Sequence, residues 1–286
     1  MENVQSHPLF NDILIHSDEE LARLLGAEIV ERETIHEWPL SCVQRLLLDD
    51  HRKLVYKSQL PPTVEPEFYE SAVSGLLPGH RMLERIGECA TMTIDWIEAP
   101  LLRDVVSSEA DLIEHGRRLV SEIGEIGGEL PTYLNIGTPE AWSGAIDVAL
   151  EKLKLLIERN RFSLTDESAI EQIRKWSASA QVIDVLADHP HTIHGDLTVE
   201  QVFVTTGGYQ VIDWQRPVVA PPEVDLVSLF VGRRINPRRY IDPIVVKIFW
   251  FLRLHWAVYA QFDLFPEFDG PLFEQWSSKA MRRILE

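Results

Sequence analysis

The chain has 286 residues, 45% hydrophobic and 25% charged, enough for two core-sized units at about 150 residues each. Its net charge of −18 argues against a nucleic-acid backbone or an anionic membrane as partner. Two cysteines, Cys42 and Cys89, exclude a disulfide framework and a CxxC metal motif.

The opening residues, MENVQSHPLFNDILIHSDEELARLL, lack the basic start, apolar core and cleavage site of a secretory signal, so a reducing, cytoplasmic location is expected. A helix is predicted near Ser17–Leu25, with Ser17 as N-cap and Glu20 three residues on. Three antiparallel strands follow: residues 26–34, Ser41–Leu48 and Lys53–Gln59, the last two joined across residues 49–52. Pro61-Pro62-Thr63 breaks the sheet, and Glu65–Gly79 reads as a helix with Pro66 in its first turn. A second hairpin is expected over Arg81–Ile86 and Ala90–Ile97, and Glu98-Ala99-Pro100 divides the chain into 1–97 and 98–286.

The second half reads as mainly helical, through residues 108–126, 141–160 and 166–188. Its one clear β interruption is VFVTTGGYQVID, two strands around Gly207-Gly208. The apolar run Ile244–Ala260 is interrupted by Lys247, Arg253 and His255, falls short of the ~20 apolar residues of a bilayer span, and reads as a buried helix of a soluble protein. Its aromatics, Phe249, Trp250, Trp256 and Tyr259, suit core packing, with pocket lining as the alternative.

The chemistry concentrates between Ile193 and Phe230. His194-Gly195-Asp196, Gln201 five positions after Asp196, and Val211-Ile212-Asp213-Trp214 after a Gly turn resemble the phosphotransferase family of aminoglycoside and choline kinases, relatives of protein kinases. The resemblance implies an α+β, two-lobed protein-kinase-like fold: a small antiparallel-sheet N-lobe and a mainly helical C-lobe. It also implies use of ATP, with GTP as the alternative nucleotide, and of magnesium. Phosphoryl transfer to an alcohol needs a carboxylate to take the hydroxyl proton and oxygen ligands to hold magnesium on the phosphates. Asp196 fits the first role and Asp213 the second. Gln201 stands where the family has Asn and would offer a carbonyl oxygen to the metal with one more methylene of reach.

His194 is expected to hold the loop, and Asp225 either braces it or caps a helix at the surface. His191, His194 and Asp196 also read as H-x-x-H-x-D, a weaker metal-hydrolase pattern. In the first half, Lys57 matches the strand lysine that reaches nucleotide phosphates, and Glu65 or Glu70, with Glu67 third, matches the helix glutamate that holds it. Residues 33–41 would form a phosphate loop, but a loop without glycine, in which Ser41 or the 38–40 turn serves instead. The backbones of Asp95 and Ile97 would meet an adenine ring.

The sequence therefore reads as a phosphotransferase for a hydroxyl of a small molecule, with an aminoglycoside-, choline- or sugar-like acceptor. The acidic charge is compatible with a cationic one. A catalytically degenerate kinase-fold protein that binds nucleotide or acts as a scaffold is the alternative.

Overall fold

The Ser17 hydroxyl accepts a hydrogen bond from the Glu20 amide at 3.2 Å and Gly26, in the left-handed region at φ 73°, closes the last turn, so the first helix starts and stops on its own capping residues. The computed structural model describes residues 4–163 and 167–286. In chain order it contains β1 (Val4–Ser6), β2 (Leu14–His16), α1 (Asp18–Leu25), β3 (Ile29–Trp38), β4 (Ser41–Leu48), β5 (Lys53–Gln59), α2 (Glu65–Ser71), β6 (His80–Met82), β7 (Ala90–Asp95) and α3 (Leu102–Val105). There follow α4 (Glu109–Gly124), β8 (Leu134–Asn135), α5 (Pro139–Glu158), α6 (Glu167–Ser177), α7 (Ala180–Ala187), β9 (His191–Ile193), β10 (Val202–Thr205), β11 (Gly208–Val211), β12 (Val218–Ala220), α8 (Glu223–Gly232), α9 (Pro243–Tyr259) and α10 (Leu272–Leu285).

These elements form two units. The first gathers residues 1–107, 125–133 and 199–217, and the second residues 108–124, 134–198 and 218–286. Beyond a single cut after Ile97, the first unit thus also takes two later segments, one of them carrying the β10–β11 hairpin.

The first unit is built on a five-stranded antiparallel sheet in the order β3-β4-β5-β7-β6. Tyr56, Leu46 and Leu54 on its inner face pack with Ile13, Leu21 and Leu25. Residues 33–41 are not a loop. β3 runs on to Trp38, which pairs with Ser41 across a turn of only Pro39 and Leu40. The interruption that reads as a strand end is a β-bulge between Thr34 and His36, which leaves Ile35 exposed and restarts the alternation out of phase.

The predicted helix from Glu65 to Gly79 is also too long, because α2 ends at Ser71. Ala72 is extended, and Val73 exchanges backbone hydrogen bonds with Gly127. Gly128, at φ 106°, closes this contact, and a Cβ there would lie 2.0 Å from the Ser71 carbonyl oxygen. The β10–β11 hairpin turns on Thr206-Gly207, with Thr205 paired to Gly208, rather than on Gly207-Gly208.

In the second unit, β12 lies between β8, to which it is parallel, and β9, to which it is antiparallel. The predicted helix over residues 166–188 divides at Ala178-Ser179 into α6 and α7, and its expected first residue, Asp166, lies outside the described residues. α9 packs against α5, α7, α8 and α10. With the π-helical turn Ala260–Leu264 that continues it, this is the one helix among the described residues long and apolar enough to cross a membrane. Most of it is covered by the neighbouring helices, which accounts for its apolar character on all sides. Phe249 and Trp250 are core residues, whereas Trp256 and Tyr259 are half-buried.

Candidate active site

β5 is flanked on both sides by antiparallel partners, with Lys57 paired to Val43 on β4 and Met92 on β7. The Lys57 side chain thus starts from the middle of the sheet and is 2% exposed. Its Nζ donates to Glu65 Oε1 at 2.8 Å and Oε2 at 3.1 Å, and to Asp213 Oδ1 as well. Glu65, the first residue of α2, is fully buried. The Thr63 hydroxyl accepts a hydrogen bond from the Glu65 amide at 3.2 Å and fixes the helix start. Glu70 faces solvent, as does Glu67, so of the candidate glutamates only Glu65 meets the lysine.

One ammonium lies between two carboxyl groups, and with both ionised the cluster would carry a net charge of −1. Burial works to lower the Lys57 pKa, but Asp213 and Glu65 outweigh it and hold the lysine protonated, above its usual range. Burial, with the nearby Asp213 charge, raises the Glu65 carboxyl despite the pull of Lys57. Removing charged groups from water is expensive, and a site left one negative charge in excess favours a cation.

Oxygen atoms that could hold a cation are carried at the end of the β10–β11 hairpin. Its last register pair is Val202 with Val211, and the Ile212 amide then donates to the Gln201 carbonyl at 3.0 Å, so the backbone sets Gln201 beside the residue preceding Asp213. A carboxylate and an amide carbonyl are hard oxygen ligands, of the kind magnesium takes. Asp213 sits in the left-handed region at φ 68°, a conformation that aspartate tolerates better than most residues. Trp214, fully buried, stacks on Phe68 of α2 with centroids 4.4 Å apart and planes at 8°. The Val64 amide donates to the Gln215 carbonyl at 3.1 Å. Residues 211–215 and the start of α2 are thus joined on both sides of the Glu65–Asp213 pair, a link that the sequence does not reveal.

Ser41 opens β4 and is buried between Trp38 and Gln59. Asp95 closes β7, with its amide bonded to the Gly79 carbonyl at 2.7 Å, and Ile97 follows it outside the strand.

In the second unit, β9 delivers the chain to His194-Gly195-Asp196. Asp225 on α8 is 1% exposed, and its carboxylate accepts the amides of His194 at 2.8 Å and Gly195 at 2.9 Å. Gly195, at φ 81°, supplies the reversal that points two successive amides at one carboxylate. Asp225 therefore braces the loop and is no surface cap. Burial raises its pKa, with the Asp196 charge acting the same way and His194 and the two amides opposing.

His194 is buried, and its Nδ1 accepts the Asp196 amide at 3.4 Å. Asp196 itself is partly exposed and forms an ion pair with Arg253 of α9, Oδ1 to Nη1 2.6 Å. Sequence reasoning treats Arg253 only as an interruption of an apolar run. His191 lies exposed on β9, and among the described residues no three His, Cys, Asp or Glu side chains group as metal ligands, which leaves the H-x-x-H-x-D reading without support.

Residues 55–261, well over half of the chain, match the phosphotransferase enzyme family (APH). No curated protein matches the sequence. Among solved structures, the chain is similar to a thermostable mutant of the aminoglycoside phosphotransferase APH(4)-Ia in ternary complex with ADP and hygromycin B. The TM-score is 0.61 and the identity 14%, over 94% of this chain and 97% of that one. It is also similar to a choline/ethanolamine kinase family protein from Mesorhizobium loti, with TM-score 0.59 and 16% identity over 89% and 87%. A macrolide 2′-phosphotransferase type I gives TM-score 0.56 and 15% identity over 93% and 94%. At these identities the likeness is one of fold, and the fold is the protein-kinase-like one, with an antiparallel-sheet N-terminal region and a helical C-terminal part. The match that spans both the Lys57 strand and the Asp196 to Asp213 segment makes this chain a member of the phosphotransferase enzyme family.

Proposed function

We propose that the chain is an ATP- and magnesium-dependent kinase that transfers the γ-phosphoryl group to a hydroxyl of a small molecule. The observation that carries this reading is the cluster of buried Lys57 and Glu65 with partly exposed Asp213, a fixed ammonium beside carboxyl oxygens. Lys57 would bind the nucleotide phosphates, held in place by Glu65. Asp213 and the side-chain carbonyl of Gln201 would hold the metal, which when bound neutralises phosphate charge. Asp196 would orient the acceptor hydroxyl and accept its proton as the oxygen forms its bond to phosphorus and ADP departs. Catalysis of this kind is mainly positioning and charge neutralisation. The backbones of Asp95 and Ile97 would receive the adenine, and Ser41 lies beside the two-residue turn that replaces a glycine-rich loop.

The acidic chain supports a cationic acceptor through long-range attraction, with aminoglycoside-, choline- and sugar-like alcohols as the classes to screen. GTP is the alternative donor, and a cytoplasmic location supplies either nucleotide. A second reading, nucleotide binding without transfer, is favoured by the short Pro39-Leu40 turn, which offers few free amides to phosphate.

The test is thermal stabilisation of the protein by ATP and by GTP, each with and without magnesium, followed by ADP release over the alcohol panel. Magnesium-dependent stabilisation that disappears in D213A, together with ADP release that disappears in D196N, supports the kinase. Stabilisation without acceptor-dependent ADP release favours the second reading, and no stabilisation by any nucleotide sinks both.

A further inference from the structure

Arg253 lies in a helix whose fully buried residues are all apolar, yet its guanidinium is held on three sides within the second unit. Nη1 meets Asp196 Oδ1 at 2.6 Å, Nη2 donates to the Ser228 hydroxyl at 3.2 Å, and the group lies over the Phe249 ring with Cζ 4.9 Å from the centroid. Ser228 and Phe249 are both buried, on the packed helices α8 and α9. A freely solvated arginine contributes little through an ion pair, because ordering its long side chain costs as much as the charge attraction returns. Here that ordering is supplied by the ring and the hydroxyl whether or not Asp196 is charged.

We propose that Arg253 is the positioning residue of Asp196: it takes the Oδ1 oxygen and fixes the direction of the carboxylate, so that the carboxylate is aligned to meet an acceptor hydroxyl. Only this last step rests on the function proposed above. The guanidinium is planar and permanently charged, and its donors lie in a rigid fork, so it fixes both the direction and the ionisation of a carboxylate where a lysine ammonium fixes neither as well. Other charged or titratable groups near Asp196 in its own unit include His194, two residues before it, and Asp225 on α8. Asp225 accepts the two loop amides, and Arg253 is a permanently charged cation in direct contact with the Asp196 carboxylate.

The experiment is a carboxyl titration of full-length protein labelled with carbon-13 at aspartate Cγ, in which the Asp196 signal is identified by its absence in D196N. In R253Q the Asp196 midpoint is expected to rise by about one pH unit or more, since a cation at this distance holds a carboxylate ionised. An unchanged midpoint overturns the proposal. A second measurement needs no substitution at Arg253: its Nη protons, bonded on two sides, are expected to give separate signals in wild-type protein and merged ones in D196A. Identical Arg253 signals in the two proteins overturn the proposal as well. Neither measurement uses nucleotide or acceptor, so the pair can fail while the kinase reading stands, and the nucleotide stabilisation test can fail while the pair stands.

Discussion

Lys57 Nζ lies 2.8 Å from Glu65 Oε1, with both side chains out of solvent and Asp213 on the same ammonium. The two partners are not equivalent. Lys57→Met leaves the fully buried Glu65 carboxylate without its ammonium partner and is expected to cost about 3–5 kcal/mol of stability. Glu65→Gln leaves the lysine paired with Asp213 and is expected to cost only about 1–2 kcal/mol. Urea unfolding of the two variants checks the order, and a larger loss in E65Q than in K57M would contradict it.

Gln201 and Asp213 are expected to separate in a magnesium titration. Asp213→Ala removes the charged ligand and should abolish the part of the nucleotide's thermal stabilisation that depends on magnesium. Gln201→Leu should raise the magnesium concentration needed for half of that stabilisation by roughly tenfold, about 1.4 kcal/mol of binding. Gln201→Asn, which keeps a carbonyl oxygen, should lie closer to wild type. Equal behaviour of Q201L and wild type would remove Gln201 from the metal set.

Phe68 and Trp214 are both fully buried and stacked face to face, joining α2 to the segment that carries Asp213. Trp214→Ala is expected to cost about 3–5 kcal/mol, through lost burial and the cavity left behind. A double-mutant cycle with Phe68→Leu and Trp214→Leu should show a coupling of about 0.5–1.5 kcal/mol, the worth of an aromatic pair beyond its area. Additive losses would mean that the rings share a core without acting on each other.

Gly128 is expected to resist substitution for a backbone reason. Alanine there would need a Cβ 2.0 Å from the Ser71 carbonyl in a conformation that L residues avoid, so G128A should lower stability by about 2 kcal/mol or more. Gly144 lies within α5, where an added Cβ would meet open space, and should accept alanine with a small gain, about 0.5–1 kcal/mol. Thermal melts of the two variants moving in the same direction would contradict this.

The sequence discloses those parts of the fold whose causes are local. Ser17 and Glu20 mark the start of α1, the hairpin connection at residues 49–52 marks where β4 and β5 meet, and the spacing of Asp196, Gln201 and Asp213 around a Gly turn marks the candidate site. The rest depends on distant neighbours. α2 stops at Ser71 because Val73 finds Gly127, more than fifty residues away, and nothing within Glu65–Gly79 announces that partner. The β3 bulge shifts the alternation by one residue and so resembles a strand end. β8, β9 and β12 have two or three residues each, too few for any period to show. The choice of Glu65 over Glu70 is one of helix face and burial, and Arg253 looks like a fault in an apolar helix until α9 is packed against the Asp196 loop's own unit.

His255, stacked near Tyr259 and tilted against Phe251, is expected to make stability depend on pH in the mildly acidic range. Burial, and then the Lys152 charge, lower its pKa to about 4, with Asp263 opposing. An unfolded histidine titrates near 6.5, so between these values the unfolded chain binds a proton that the folded one refuses. The sign follows: stability from this group is complete above about 6.5 and is lost as pH falls toward 4. The ring keeps partial exposure, which holds the loss to the order of 2 kcal/mol. His255→Phe preserves the ring packing without the proton. Urea midpoints measured at neutral pH and near pH 4.5 should therefore fall further in wild type than in H255F, and parallel falls would show that His255 is not the group responsible.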